Sequence, residues 1–323
     1  MYTIGIDLGG TNIVVGLCDG DLRILHTLKV KTGKRRSPDE IVSDMARLTL
    51  EMMRSCSLSH EEVGCIGIAT PGIVDLESGA VRYSCNLPFK DYPLKEIFSS
   101  LIPDIPIRVI NDADAAALAE SLVGAAKGTR SSVTLTLGTG VGSGIIIDGR
   151  ILGGGAGFSG AELGHTVIKA GGRRCACGRY GCLEVYASAT GLKNSTRECM
   201  ARLRKSGTHS KLFEIAEKYG RISARVPFMA MREGDRHGAI LVEHYIDYLA
   251  VGIANIINLF SPEVIIIGGG VSGEGEHLIL PLTRRVAEEL GSDGSEINVK
   301  ITTATLGSKS GVVGAAGVGR IPV

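Results

Sequence analysis

The stretch Thr3-Ile4-Gly5-Ile6-Asp7-Leu8-Gly9-Gly10-Thr11-Asn12-Ile13-Val14-Val15-Gly16-Leu17-Cys18 decides how the chain is read. Two apolar and β-branched runs, residues 3–8 and 13–18, flank a short turn of small and polar residues. That is the pattern of strand, tight glycine turn, strand. A Gly-Gly-Thr turn presents closely spaced backbone N–H groups and one hydroxyl, with no bulky side chain to keep an anion away. Asp7, ending the first strand, adds a carboxylate suited to a hydrated Mg²⁺. A third run at residues 23–30 completes an antiparallel meander.

Further along, Ser37-Pro38-Asp39-Glu40 has the form of a capping box with Pro at the first helical position. Ile41, Met45, Leu48 and Met52 supply the apolar stripe of the helix that follows. Residues 63–69 and 107–110 read as buried strands, and the second runs straight into Asn111-Asp112 and an Ala-rich helix. The opening pattern then recurs as a strand at 133–137, a turn at 138–144 carrying Thr139, and a strand at 145–148. Pairing Gly9-Gly10-Thr11 with Gly138-Thr139-Gly140 predicts an internal duplication, a chance likeness between glycine hairpins being the alternative. Beyond residue 190 the chain reads as mainly helical, with a long apolar helix over 241–260 carrying Tyr245, Leu249, Ile253, Ile256 and Ile257 on one side. A strand at 264–267 enters Gly268-Gly269-Gly270. A helix over 278–290, a strand at 298–303 and a small-residue helix near 310–319 complete the order.

With 323 residues the chain exceeds the usual size of one domain, so two lobes are expected. The expected division is a smaller lobe of residues 1–120 with the C-terminal helix 306–323, and a larger lobe of 121–305. No Pro/Ser-rich linker marks the boundary. The composition, 44% apolar and 21% charged, suits a globular protein with a sizeable core. The 45 glycines are about twice the usual share and suggest backbone held close to ligands.

A formal charge of +1 gives no broad electrostatic case for nucleic acid or an anionic membrane as partner. The basic run Lys29, Lys31, Lys34, Arg35, Arg36 reads as a solvated loop. The first residues lack the features of a signal peptide, and no segment reads as long enough to span a bilayer, so a cytoplasmic enzyme is expected. Of the eight cysteines, Cys18, Cys56, Cys65, Cys85 and Cys199 are scattered and read as buried thiols in a reducing compartment.

Two glycine turns between apolar strands suit the clamping of one nucleotide triphosphate, with ATP and Mg²⁺ implied. A rival reading comes from 155–160 and Gly268-Gly269-Gly270-Val271-Ser272-Gly273, which both fit the dinucleotide fingerprint G-x-G-x-x-G. The first lacks a following apolar helix. The second has one, but the next strand ends Thr302-Thr303-Ala304 with no acid for a ribose. Glycine backbone there still suits the adenosine face of a nucleotide.

Asn111-Asp112 lies where a strand meets a helix, so its side chains project at a sheet edge. A carboxylate there can take the proton of a sugar hydroxyl as a phosphoryl group moves to it; the plainer alternative is that Asp112 is only an N-cap. Asn86, Glu162, His165 and Glu184 are candidates for sugar-hydroxyl recognition, and singly each reads equally as a surface polar residue. Cys175-Ala176-Cys177-Gly178-Arg179-Tyr180-Gly181-Cys182, with His165 ten residues upstream, supplies four ligands for a closed tetrahedral zinc site of structural type. A redox role fits less well, because no C-x-x-C pair is present.

These segments together resemble the ROK family (repressor, open reading frame, kinase), and within it the bacterial glucokinases. The matching pieces are Asp7 to Asn12, Thr70-Pro71-Gly72, Asn111-Asp112-Ala113, Leu137-Gly138-Thr139-Gly140, Glu162-Leu163-Gly164-His165, Cys175 through Glu184, and Gly268-Gly269-Gly270-Val271. The resemblance implies an α/β, actin-like ATPase fold of RNase H type, with a duplicated mixed-sheet core in two lobes and a cleft between them. It implies transfer of the γ-phosphoryl group of Mg-ATP to the 6-hydroxyl of glucose, with Asp112 as general base. It implies sugar contacts from Gly72, Asn86, Asn111, Asp112, Glu162, His165 and Glu184. Nucleotide contacts are implied for Asp7, Gly9, Gly10, Thr11, Asn12, Gly138, Thr139, Gly140, Gly268, Gly269 and Gly270, and zinc on His165, Cys175, Cys177 and Cys182. Other family kinases act on N-acetylmannosamine, N-acetylglucosamine, fructose or allose, which are the alternative acceptors. A homodimer or homotetramer is implied. The family's repressors carry an N-terminal helix-turn-helix, which is not expected here because the glycine turn begins at residue seven. One departure is Phe89, where many of the glucokinases have Trp.

Overall fold

The opening meander forms as its apolar alternation dictates. In the computed structural model, which describes residues 1–33, 36–153, 158–159, 161–291 and 298–321, strands β1 (Tyr2–Leu8), β2 (Asn12–Cys18) and β3 (Ile24–Lys31) pair antiparallel in chain order. Helix α1 (Pro38–Ser55) starts at the predicted capping box. Ser37 Oγ accepts from the Glu40 N–H, and the Glu40 carboxylate accepts from the Ser37 N–H. Its stripe of Ile41, Met45, Leu48 and Met52 is buried.

Then come β4 (Val63–Thr70), β5 (Ile73–Asp75), β6 (Val81–Tyr83), β7 (Lys90–Tyr92), α2 (Leu94–Leu101), β8 (Ile107–Asn111) and α3 (Asp112–Val123). The next strands are β9 (Ser132–Leu137), β10 (Val141–Ile147), β11 (Arg150–Ile151) and β12 (Phe158–Ser159). A helical stretch follows, with α4 (Glu184–Ala187), α5 (Ala189–Lys205), α6 (Lys211–Lys218), α7 (Arg225–Arg232) and α8 (Arg236–Phe260). The chain closes with β13 (Val264–Gly268), α9 (Glu276–Glu289), β14 (Lys300–Thr303) and α10 (Ser310–Gly317).

Two five-stranded sheets have orders β3-β2-β1-β4-β8 and β11-β10-β9-β13-β14. The orders are the same: a meander whose first strand sits centrally, followed by two later strands on its other side. β4 lies parallel to β1, β8 to β4, and β14 to β13. This repeat is the duplication predicted from the two glycine hairpins, and it gives the α/β architecture of RNase H type. A small sheet, β12-β5-β6-β7, extends the end of β4.

The chain forms two compact units. The first comprises Met1–Thr134, Ser143–Ala161 and Ala304–Val323, and the second Leu135–Gly142 and Glu162–Thr303. The core of the first is mainly aliphatic, with Ile4, Ile6, Ile13, Val15, Met45, Ile66 and Ile68, joined by Phe98, sealed between the first sheet and α1 and α2. On the sheet's opposite face α10 packs against β1 and β4, and Gly5 and Gly67 permit it: a Cβ on either would collide with the backbone of α10. In the second unit α8 packs against α4, α7 and α9.

Several sequence expectations are corrected. The turn of the second hairpin is confined to Gly138–Gly140, and β10 begins at Val141 instead of residue 145. Gly142 and Gly144 lie in the strand; Gly144 faces α3 so closely that a Cβ would meet the Ala113 carbonyl and the Ala117 side chain. Lys29 and Lys31 belong to β3, and Arg36 pairs with Asp44 at 2.5 Å, so the basic run is not a solvated loop; Lys34 and Arg35 lie outside the described residues. Among the scattered cysteines Cys85 is exposed and Cys56 half-buried, against the expectation of burial. The 25 residues of α8 are long and apolar enough to cross a membrane, contrary to the sequence reading. Their apolar face is core, however, with Leu249 and Ile253 fully buried. The glycine fingerprint at 155–160 falls largely outside the described residues.

Candidate active site

In the first unit the parallel register of β1, β4 and β8 sets Asp7 beside Ala69 and Thr70 beside Asn111. Asp7, the Thr70-Pro71-Gly72 turn and Asn111-Asp112 therefore leave the sheet at one edge. Asn111, not Asp112, is the N-cap of α3. Its Oδ1 accepts from the Ala113 N–H at 2.7 Å and the Asp114 N–H at 3.3 Å, while its Nδ2 donates to the Gly72 carbonyl at 2.8 Å. One amide thus ties the turn after β4 to the start of α3 and fixes where Asp112 sits.

Asp112 is open to water on one side but crowded by protein on the others. Burial pushes its carboxyl above the ordinary carboxylate range, and the bond from the Ala113 N–H to Oδ1 at 2.9 Å opposes this only in part. That bond engages Oδ1, and among the described residues no other residue donates to Oδ2, which remains available to accept a proton.

The opening turn is held from below. The Gly9 N–H donates to the Asn12 carbonyl at 2.9 Å, and Thr32 donates from its N–H to Thr11 O and from its hydroxyl to Gly9 O at 3.0 and 2.6 Å. Around it lies a cavity of about 770 Å³ lined by Asp7, Gly9 to Asn12, His26, Thr27, Lys29, Ser308 and Lys309. Exposed Asn86 stands over Gly10, whose Cβ position is 3.6 Å from that of Asn86. The sequence reading missed Lys29 and Lys309, the two cations of this cavity. They come from opposite ends of the chain, and the packing of α10 on the first sheet brings them together.

Burial pushes the Asp7 carboxyl up to about 6, and the negative charge of Asp112 pushes the same way. Two carboxylates that disfavour each other's ionisation make a place where a divalent cation is welcome. With its folded pKa above the unfolded value of 3.8, Asp7 binds protons more tightly in the folded state, so its charge costs stability increasingly as pH rises from about 4 through about 6. Asp7→Asn is expected to raise stability at pH 7 by on the order of 1–3 kcal/mol while lowering kcat. Paired denaturant titrations at pH 4 and pH 7 check this, the gain being smaller at pH 4.

In the second unit the turn after β9 is closed by the Gly138 N–H donating to Gly140 O at 3.0 Å, which leaves Thr139 exposed at its tip. Gly268 ends β13, and Gly269 and Gly270 follow at the equivalent strand end. A cavity of about 790 Å³ begins at Gly270 and Val271 and is walled by Tyr219, Arg221, Arg225, Met229, Arg232 and His277. No pattern in the sequence marks that wall, most of whose residues lie on loops and helices remote from the turn in the chain.

His165, Cys175, Cys177 and Cys182 converge, with their ligand atoms all within 4.8 Å of one another. Cys175 Sγ lies 3.6 Å from His165 Nδ1, and Cys177 Sγ 3.7 Å from Cys182 Sγ. A tetrahedron with metal–sulfur bonds of about 2.3 Å has sulfur–sulfur edges of about 3.8 Å, so the cluster fits zinc. The other imidazole nitrogen, Nε2, points to Glu162 at 3.9 Å. Glu184, two residues past Cys182, accepts from the Val141 N–H at 3.1 Å through Oε2.

The ROK family signature matches residues 3–319. The chain belongs to the ROK family. It is 35% identical over 317 residues to a glucokinase of Halalkalibacterium halodurans, spanning 97% of this chain and 93% of that one. A glucokinase of Thermotoga maritima is likewise 35% identical, with 98% and 96% covered. Among solved structures, a ROK glucokinase from Streptomyces griseus in complex with glucose and AMPPNP superposes with a TM-score of 0.80 at 31% identity, covering 99% of each chain. The actin-like fold that the resemblance implied is therefore that of this ROK chain. Phe89, the departure from many of the family's glucokinases, is 1% exposed and stacks on Tyr92 at 5.0 Å, so it is a core residue.

Proposed function

We propose that this chain is an ATP-dependent hexose kinase that transfers the γ-phosphoryl group of Mg-ATP to the 6-hydroxyl of glucose. The observation that carries the reading is Asp112, an accessible carboxylate of raised basicity placed by Asn111 at the strand edge shared with Asp7 and the opening glycine turn. A hydroxyl is a weak nucleophile, and a fixed carboxylate that accepts its proton as the oxygen meets the γ-phosphorus raises its reactivity. Asp112 Oδ2 takes that proton; the bond between the γ-phosphorus and the β–γ bridging oxygen breaks, and ADP leaves.

Gly9 shapes the turn through its N–H bond to the Asn12 carbonyl, the backbone N–H groups of Gly10 and Thr11 with the Asn12 amide hold phosphate oxygens, and Lys29 and Lys309 add charge to the same cavity. Asp7 would hold the Mg²⁺ that accompanies the nucleotide, and this ion would neutralise phosphate charge. Gly138, Thr139 and Gly140 are assigned to the donor phosphates as well, and Gly268 to Gly270 to the adenosine. Gly72, Asn86, Asn111, Glu162, His165 and Glu184 order the sugar hydroxyls, His165 through the nitrogen left over from the metal. All eight cysteines are free thiols, which fits a reducing, ATP-rich compartment such as the cytoplasm.

A panel of sugars in a coupled assay for ADP release tests the acceptor. Glucose is expected to give the highest kcat/KM, above N-acetylmannosamine, N-acetylglucosamine, fructose and allose. A preference for an N-acetylated sugar would sink the glucose assignment while leaving the phosphoryl transfer in place.

A further inference from the structure

The metal loop does something in this chain beyond presenting sugar-binding residues. Its two ends grip one residue, Val141, which directly follows the turn Gly138-Thr139-Gly140. On the His165 side, Gly164 lies against Val141: a Cβ on Gly164 would collide with the Val141 carbonyl oxygen and stand 3.0 Å from the Val141 Cβ. On the Cys182 side, Glu184 Oε2 accepts from the Val141 N–H at 3.1 Å. The same carboxylate fills the space where a Cβ of Gly140 would be, and its Oε1 lies 3.9 Å from the Cys175 sulfur. Just beyond, the Ala189 N–H donates to the Gly138 carbonyl at 2.9 Å.

The turn is therefore held at its Val141 foot by residues that adjoin the four metal ligands, and at its Gly138 foot by Ala189. Gly164 adjoins His165, and Glu184 is two residues from Cys182. A closed tetrahedral centre fixes the spacing of His165 and Cys182, and so the spacing of the two grips on Val141.

We propose that Glu184 and Gly164 are positioning residues for the second phosphate turn, so that the metal loop sets nucleotide affinity and not only sugar affinity. The inference rests on the kinase reading above, in which Gly138 to Gly140 meet the donor phosphates. Glu184 acts here through the backbone of Val141. The carboxylate charge is not what is needed; an acceptor at that position is, because the Val141 N–H must stay satisfied for the turn to keep its shape.

The test is calorimetric titration of Mg-ADP into zinc-loaded protein without sugar, with zinc per chain measured on the same samples. Gly164→Ala and Glu184→Ala are each expected to weaken Mg-ADP binding about tenfold with zinc content unchanged. Glu184→Gln, which keeps an acceptor for Val141, is expected to bind Mg-ADP as tightly as the unmodified chain or more so. Mg-ADP affinity within twofold of the parent in both alanine variants overturns the inference, because a loop that served only the sugar would leave nucleotide binding alone. Should Gly164→Ala lose its cooperative thermal transition, the contrast between Glu184→Ala and Glu184→Gln decides by itself. A parent protein that binds no Mg-ADP overturns the kinase reading, and this inference with it.

Discussion

Asp112→Ala is expected to lower kcat by about 10²–10⁴-fold, the usual contribution of a general base, with KM for ATP changed little. Folding should survive. Asp112 is open to water, and the N-cap of α3 is made by Asn111, so removing the carboxylate leaves no buried donor stranded apart from a bond that the Asn111 amide already shares at the Ala113 N–H. That separation makes the prediction decisive. If Asp112 were merely a helix cap, its loss would cost about 1 kcal/mol of stability and little rate. If the chain only sensed sugar, the parent protein would show no phosphoryl transfer to lose.

The pH profile offers a second readout of the same residue. The base must be unprotonated, so kcat/KM should fall on the acid side, with an apparent pKa above the ordinary carboxylate range because burial holds the Asp112 carboxyl up. Asp7 is itself pushed up to about 6, in part by the Asp112 charge, so the two carboxyls are coupled. The acid limb therefore belongs to the pair. Asp7→Asn removes a neighbouring negative charge and should move that limb to lower pH.

Much of this site was legible because its signals are local. A glycine turn between two apolar runs, a capping box, and three cysteines within eight residues each announce themselves within a short window. Order along the chain then joined the pieces, since residues at the ends of adjacent parallel strands share an edge whatever separates them in sequence. What stayed hidden was set by tertiary contact. The division of labour between Asn111 and Asp112 depends on which side chain reaches the first turn of α3, and both residues have suitable chemistry. Lys29 and Lys309 approach one cavity from opposite ends of the chain. The glycines misled in a specific way, because a sequence reading assigns them to turns. Gly5, Gly67 and Gly144 instead lie within strands, where a helix passes too close for any side chain. The apolar stretch of α8 misled in the opposite direction: its hydrophobicity belongs to a core that the sequence alone does not display.

Cys177→Ser is the other substitution expected to have a large effect. Cys177 is the exposed member of the four-ligand cluster, whereas Cys182 is fully buried and Cys175 nearly so. Serine at Cys177 therefore removes a thiolate without opening a cavity, so any loss reports on the metal and not on core packing. The parent protein should carry about one zinc per chain, and the variant should bind it at least about 10²-fold more weakly. Because the ligands are spread across the loop from His165 to Cys182, losing the metal frees that whole segment, and binding energy that stabilised the fold is lost with it. The thermal transition should fall, glucose affinity should drop as His165 and Glu184 lose their fixed positions, and Mg-ADP affinity should drop as the grip on Val141 loosens. Cys85→Ser, exposed and outside the cluster, is the matched control and should keep both metal and affinity. Full zinc occupancy in Cys177→Ser would remove that residue from the ligand set. Zinc loss with an unchanged melting temperature and unchanged glucose affinity would show that the loop holds its shape through its own hydrogen bonds, such as Cys175 N–H to Arg179 O at 2.8 Å and Ile168 N–H to Gly181 O at 2.9 Å. Those bonds are too few to be expected to do so alone, since the segment between His165 and Glu184 contains no helix and only isolated strand bridges. A loop this poor in regular structure needs a cross-link to hold one geometry, and the four converging ligands are placed to supply it.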